Sequence, residues 1–246
     1  MTLDSKDRAS LDAFAADLRE LHGSALRAVL LTGEAASAGY RPRRSPLSTL
    51  VVLDEVTPAA LRRTRPRLRR WSRRRIPTPL FMDPTYIASA LDVFPLEFLE
   101  LGDHHELLLG ESDPLADLEI DRVHLRLEVE EQMRGKMLHL WEAYLSHGSS
   151  KRALRQLLLD TPPGFEVILR GLLHLRADQA GAVRPDGPEE LLTAVEQRFG
   201  VELPVFRRLE AVRRGWGPKL ATDELEPVFE SYLAEVRLLV RLTDAR

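Results

Sequence analysis

The chain of 246 residues contains no cysteine. Disulfides, thiolate zinc sites and cysteine nucleophiles are therefore excluded, and the absence fits a reducing cytoplasm. Long apolar runs are also missing, since none approaches the roughly 20 residues that a membrane span needs. The opening stretch MTLDSKDRASLDAF is acidic and amphipathic, without the basic start and apolar centre of a secretory leader. A cytoplasmic protein with no membrane partner is the expectation. Lysine is scarce, with 4 residues against 31 arginines. That imbalance matches a GC-rich bacterial genome and is given no functional weight. A strong net charge is lacking as well: the formal value is −3, whereas a dedicated nucleic-acid binder usually has a net basic domain. No internal repeat stands out.

What is present is apolar residue enough, at 44% of the chain, for one large core or two modest ones. The organising stretch is residues 28–54, AVLLTGEAASAGYRPRRSPLSTLVVLD. Two β-rich apolar runs, 28–31 and 50–53, bracket a loop that carries Gly33, Gly39, Pro42 and Pro46. Turn residues between short apolar runs predict a strand, a loop and a second strand.

That frame resembles the signature of polymerase-β-type nucleotidyltransferases, of the aminoglycoside-modifying kind. In those proteins a strand ends in Gly-Ser and the next opens with Asp-x-Asp. The resemblance covers roughly the first 110 residues and, more weakly, the helical remainder. It implies a small mixed sheet, a C-terminal helical bundle, and aspartates that hold Mg²⁺ for phosphoryl transfer. The diagnostic residues differ here. Gly33-Glu34 stands in place of Gly-Ser, and the register of the following LVVL puts Pro46 and Ser48 at the two aspartate positions. Neither proline nor serine supplies an anionic oxygen, and Glu34 sets a negative charge where triphosphate would sit. No catalytic residue, metal or cofactor is expected from this frame. Mg²⁺ and a nucleoside triphosphate enter only under a rival reading, an enzyme with a rearranged site in which Glu34, Glu97 and Glu100 are the metal carboxylates and a small-molecule or protein hydroxyl is the acceptor.

Apolar residues Leu11, Phe14, Ala15, Leu18 and Leu21 predict a helix over 7–22, ended by Gly23. A helix is expected from Pro58, interrupted at Pro66, then a strand over 78–82 and a short helix from Asp83-Pro84. Runs 95–101 and 106–109 are expected to be strands, which gives a small mixed sheet with helices on one face. From Pro114 onward the β signal stops. A long helix runs from about Asp121 to Gly148, with Val123, Leu127, Met133, Met137, Leu140, Trp141, Tyr144 and Leu145 as its apolar face. Further helices are expected over 150–159, 165–175, 188–199, 204–214 and 224–242, with a turn-rich loop at 178–187. The fold class is α+β: a nucleotidyltransferase-like domain over 1–112 and a helical bundle over 113–246.

Nine arginines fall within residues 62–75, and Arg62, Arg63, Arg69, Arg70, Arg73 and Arg74 are the candidate partner-binding residues. Phosphate contacts by this segment, with Trp71 for stacking, would be a nucleic-acid reading. Residues 97–131 offer a counterweight, twelve acidic residues against two arginines. A solvated or internally paired face leads, an acidic protein partner comes second and nucleic acid last. A protein partner or self-association is the expected mode of action. Asp103, His104, His105 and Glu106 form a rival metal cluster, but neighbours on an extended chain point apart, and surface-loop histidines are expected instead. Ser37, Ser45 and Ser48 have no histidine at a recognisable partner spacing. His124, Glu128, Glu131 and Arg134 share one side of the long helix, where an ion-pair ladder outranks a catalytic base. Gly135 in the same helix suggests close approach of another backbone.

Overall fold

The computed structural model describes residues 3–177, 185 and 187–244. Two compact units are present, Met1–Ile120 and Asp121–Arg246. The turn-rich loop expected over 178–187 lies outside the described residues apart from Pro185 and Gly187.

The first unit begins with α1 (Ser5–His22), where the Asp4 carboxylate accepts the Lys6 N–H and Gly23 ends the helix at φ +54°. Its buried stripe is Leu11, Phe14, Ala15 and Leu18. Four strands follow: β1 (Leu26–Thr32), β2 (Thr49–Leu53), β3 (Leu80–Met82) and β4 (His105–Gly110). Their order in the sheet is β3-β2-β1-β4; β1 runs antiparallel to β2 and β4, and β2 runs parallel to β3. The register pairs Leu30 with Leu50 and Leu31 with Thr49.

Both faces of this sheet are covered, which corrects the expectation of helices on one face. Val29, Leu31, Val51 and Leu53 pack with Leu11, Phe14, Leu18 and Trp71, while Ala28, Leu30, Leu50 and Val52 pack with Met82, Ile87 and Phe98. The cause is in the strands themselves. LVVL is continuously apolar rather than alternating, the pattern of a strand buried on both sides.

Four more helices belong to this unit: α2 (Pro58–Thr64), α3 (Leu68–Ser72), α4 (Pro84–Ala90) and α5 (Pro95–Asp103). Thr57 caps α2, accepting the Ala60 N–H at 3.2 Å, and a 3₁₀ turn over Arg65–Arg67 carries the chain past Pro66 into α3. The residues flanking that turn stay in right-handed helical conformation, so 58–72 follow one helical path. The α5 helix overturns the expected strand over 95–101. Pro95 takes its first turn, and Pro95, Leu96, Phe98 and Leu99 are the buried positions. Pairs at i and i+3 are helical spacing, whereas a strand would have exposed Leu99 alongside Glu97.

The second unit is all-α: α6 (Arg122–His147), α7 (Lys151–Asp160), α8 (Pro163–Arg176), α9 (Pro188–Phe199), α10 (Pro204–Arg214) and α11 (Leu225–Asp244). Phe165, Phe206 and Tyr232 form its aromatic centre, with ring centroids 4.9 to 6.3 Å apart. The buried Glu235 carboxylate accepts the Val205 and Phe206 N–H groups at the start of α10, at 2.8 and 3.0 Å. On α6 the buried residues are Leu125, Val129, Met133 and Leu140. The apolar face expected there is therefore corrected: Val123, Leu127, Trp141 and Leu145 are exposed. The helix carries two apolar stripes, and composition alone does not say which is covered.

Gly135 also departs from expectation, because a Cβ built on it meets nothing within 4 Å. No close backbone contact requires the glycine. Gly135→Ala should therefore stabilise the helix by about 1 kcal/mol, since glycine in a helix interior costs that much relative to alanine. A rise of roughly 2–4 °C in the thermal midpoint is the expected readout, and an unchanged or lowered midpoint would show that glycine serves a contact.

Candidate functional site

The rim formed by the end of β1, the start of β2 and the start of β4 holds the residues singled out by the sequence. Thr32 donates its N–H to the Ser48 carbonyl at 2.9 Å, so Ser48 lies beside the end of β1, and the exposed Pro46 precedes it by two residues. Gly33 turns out of the strand at φ +68°, a conformation glycine adopts without a Cβ penalty. Its N–H donates to the His104 carbonyl at 3.2 Å. The group that a phosphate cradle would offer is therefore engaged within the protein. Glu34 opens the 3₁₀ turn Gly33–Ala36 and pairs with Arg41, Nη2 to Oε1 3.0 Å. Both partners are partly exposed, so this pair adds less than about 1 kcal/mol.

The rival carboxylates are not brought to that turn as a set. Glu97 projects from the exposed side of α5, and Glu100 lies with its Oε1 3.2 Å from His104 Nδ1. Because 95–103 is helix, Glu97 and Glu100 do not lie on a strand beside the rim as the sequence suggested. The histidines correct another expectation. His104 is buried, at 4% exposure, and His105 is held between the Leu101 carbonyl at 2.8 Å and Asp113 Oδ2 at 2.7 Å. Neither is a free surface-loop side chain. Arg8 reaches Glu106 at 2.7 Å, so His104, His105 and Glu106 each meet a different partner. Among the described residues no group of three or more His, Asp or Glu side chains is placed to hold a metal ion.

The loop between β1 and β2 is pinned by a residue the sequence reading passed over. Asp7, 1% exposed on α1, accepts from the Tyr40 hydroxyl at 2.7 Å, from the Arg43 N–H at 3.1 Å and from the Arg75 guanidinium. Burial pushes this carboxyl up, but the Tyr40, Arg43 and Arg75 donors together outweigh it and hold it below the ordinary aspartate value. Arg75 also donates to the Ser45 carbonyl at 2.9 Å, and its own carbonyl accepts the Leu47 N–H at 2.9 Å. Arg43 and Arg75 both hold positive φ, +60° and +63°. Ser45 is fully buried and accepts the Arg41 N–H at 2.9 Å, so its hydroxyl braces the loop. A hydrophobic-spacing reading of α1 had no way to assign Asp7, whose partners lie 33 to 68 residues away.

The arginine segment divides into two sets. Arg67 and Arg70 reach Asp17 at 3.8 and 3.4 Å, Arg67 reaches Glu20 at 3.0 Å, and Arg75 holds Asp7. The internal compensation thus comes from α1, not from the acidic stretch 97–131. Trp71 is fully buried; its indole N–H donates to Asp17 at 2.9 Å and its ring meets Phe14 edge-on at 4.7 Å. It offers no surface on which a base could stack. Arg62, Arg63, Arg65, Arg69, Arg73 and Arg74 form no ion pair with any described residue. On α6, Arg126 and Glu130 pair at 2.8 Å and Gln132 donates to Glu128 at 3.0 Å, so Glu128 of the expected ladder meets a residue outside that set.

No protein-family model matches the chain, and no curated protein matches it by sequence. A solved structure does match in fold. The crystal structure of spectinomycin adenyltransferase AAD(9) from Enterococcus faecialis with ATP and spectinomycin superposes with a TM-score of 0.52 at 10% identity, over 93% of this chain and 98% of that one. The chain has a nucleotidyltransferase-like α+β fold, and at that identity the likeness is one of fold. No described helix is long and apolar enough to cross a membrane.

Proposed function

We propose that this protein is a catalytically silent nucleotidyltransferase-like module that works in the cytoplasm by binding a macromolecular partner. The observation that carries the reading is the make-up of the rim. Pro46 and Ser48 precede β2, Glu34 is paired with Arg41, and of the two carboxylates on α5 Glu97 is exposed and Glu100 lies against His104. Magnesium demands near-octahedral oxygen ligation from several groups, and the residues at this rim converge on no such set. The Gly33 N–H engaged with His104 supports the same reading, because a phosphate would have to displace that bond.

Titration calorimetry with Mg²⁺ and ATP tests it. No saturable heat is expected, and no nucleotide should be transferred to an aminoglycoside or protein hydroxyl. Saturable binding that Glu97→Gln abolishes, or turnover with any acceptor, would establish an active nucleotidyltransferase in place of this reading.

A further inference from the structure

Two of the arginines that form no ion pair with a described residue, Arg62 and Arg65, border a groove. Between the helical run 58–72 and strand β3 lies a cleft of about 490 Å³ whose walls include Leu61, Leu68, Pro79 and Phe81, with Arg62 and Arg65 at its edge. Leu61 is 43% exposed despite its apolar side chain. Strand β3 is three residues long and stands at the outer edge of the sheet. Arg62, Arg65, Arg69 and Arg73 recur at steps of three and four, which sets them on one side of the helical path. The neighbouring positions Arg67 and Arg70 are the ones turned to Asp17 on α1. Acids of α1 thus pair with Arg67 and Arg70, while the row Arg62, Arg65, Arg69 and Arg73 forms no ion pair with any described residue.

We propose that this groove docks an extended, acidic protein segment that seats an apolar side chain against Leu68 and Phe81. The inference rests on the partner-binding reading above and names the partner's chemistry. Two features select a peptide over nucleic acid. The groove wall is apolar, which rewards a leucine or phenylalanine side chain and not a phosphate. Trp71, the aromatic residue that stacking would need, is buried. Charge complementarity then fixes the sign of the partner. From Arg62 to Arg73 the helical path rises about 16 Å, the reach of roughly five residues of extended chain.

Fluorescence anisotropy with the full chain tests the assignment. The probes are a labelled ten-residue peptide of aspartate and glutamate with a central Leu-Phe pair, the same peptide with the pair replaced by serine, and a single-stranded oligonucleotide of equal charge. The Leu-Phe peptide should bind saturably and more than tenfold tighter than the serine version or the oligonucleotide. Arg62→Glu with Arg69→Glu should weaken it at least tenfold, and so should Leu61→Asp; all three side chains are exposed, so folding is undisturbed. Equal binding of the serine peptide, tighter binding of the oligonucleotide, or indifference to these substitutions would overturn the groove. Its failure is separable from failure of the silent-enzyme reading. No peptide binding together with no Mg²⁺-ATP heat removes only the groove, whereas nucleotide turnover alongside peptide binding removes only catalytic silence.

Discussion

A Trp71→Ala variant should lose about 3–5 kcal/mol of stability in the N-terminal unit, the range measured for deleting a buried aromatic side chain. Trp71 is fully buried in the cluster formed by Phe14, Leu18, Val51 and Leu53. Removing it opens a cavity beneath the arginine helix and deprives Asp17 of its 2.9 Å indole donor. Trp71→Phe separates the two contributions. The ring contact with Phe14 survives in part, and Asp17 keeps Arg67 and Arg70. That variant should lose roughly 1–2 kcal/mol. Urea unfolding followed by circular dichroism gives both numbers. Trp141 and Trp216 lie in the second unit and still report it by fluorescence. A Trp71→Ala cost below about 1 kcal/mol would mean that the side chain is not the core anchor described here.

The same residue shows how much of the molecule its sequence discloses. Spacing at three and four residues marks α1 and its buried face, and Pro58, Asp83-Pro84 and the residues from 150 mark helix starts that the structure bears out; the Thr57, Asp83 and Ser150 side chains cap them. Those are local signals, read over one turn of chain. Local pattern fails where two periods fit one stretch. PLEFLEL satisfies a strand's alternation at Leu96 and Phe98 and a helix's spacing at Leu96 and Leu99, and only packing beneath the sheet decides for the helix. It fails again on α6, where two apolar stripes compete for burial. At the rim the apolar runs 28–31 and 50–53 disclose the two strands, and their pairing, which sets Ser48 beside the end of β1, is seen in the structure. Charge partners were not legible. The arginines 67, 70 and 75 answer to acids some 50 to 70 residues earlier on α1, and an acidic stretch elsewhere in the sequence offered a more obvious but wrong counterpart.

Asp7→Ala should cost about 3–5 kcal/mol, because it leaves a half-buried guanidinium without its carboxylate and two further donors without an acceptor. Asp7→Asn should recover part of the loss by keeping volume, but its amide NH₂ would face donors that the carboxylate accepts. The carboxyl is held below its ordinary value in the folded protein, so its contribution is present above the unfolded aspartate range and disappears as pH falls through the lower folded value. The wild-type chain should therefore lose stability more steeply than Asp7→Asn below about pH 4. A second readout is local. Arg43 and Arg75 hold positive φ, a conformation costing on the order of 1 kcal/mol for a residue with a Cβ, and Asp7 bonds to both. Without Asp7 the loop 33–48 should loosen, and trypsin should cut after Arg43 and Arg44 faster than in the parent chain while the α-helical unit resists; the bond after Arg41 precedes Pro42 and is not a trypsin site. Unchanged cleavage would mean that the loop holds its shape through Ser45 and its own turns alone. Faster cleavage would mean that the loop between β1 and β2 is fixed by a buried ion pair, so that its shape depends on Asp7 and Arg75.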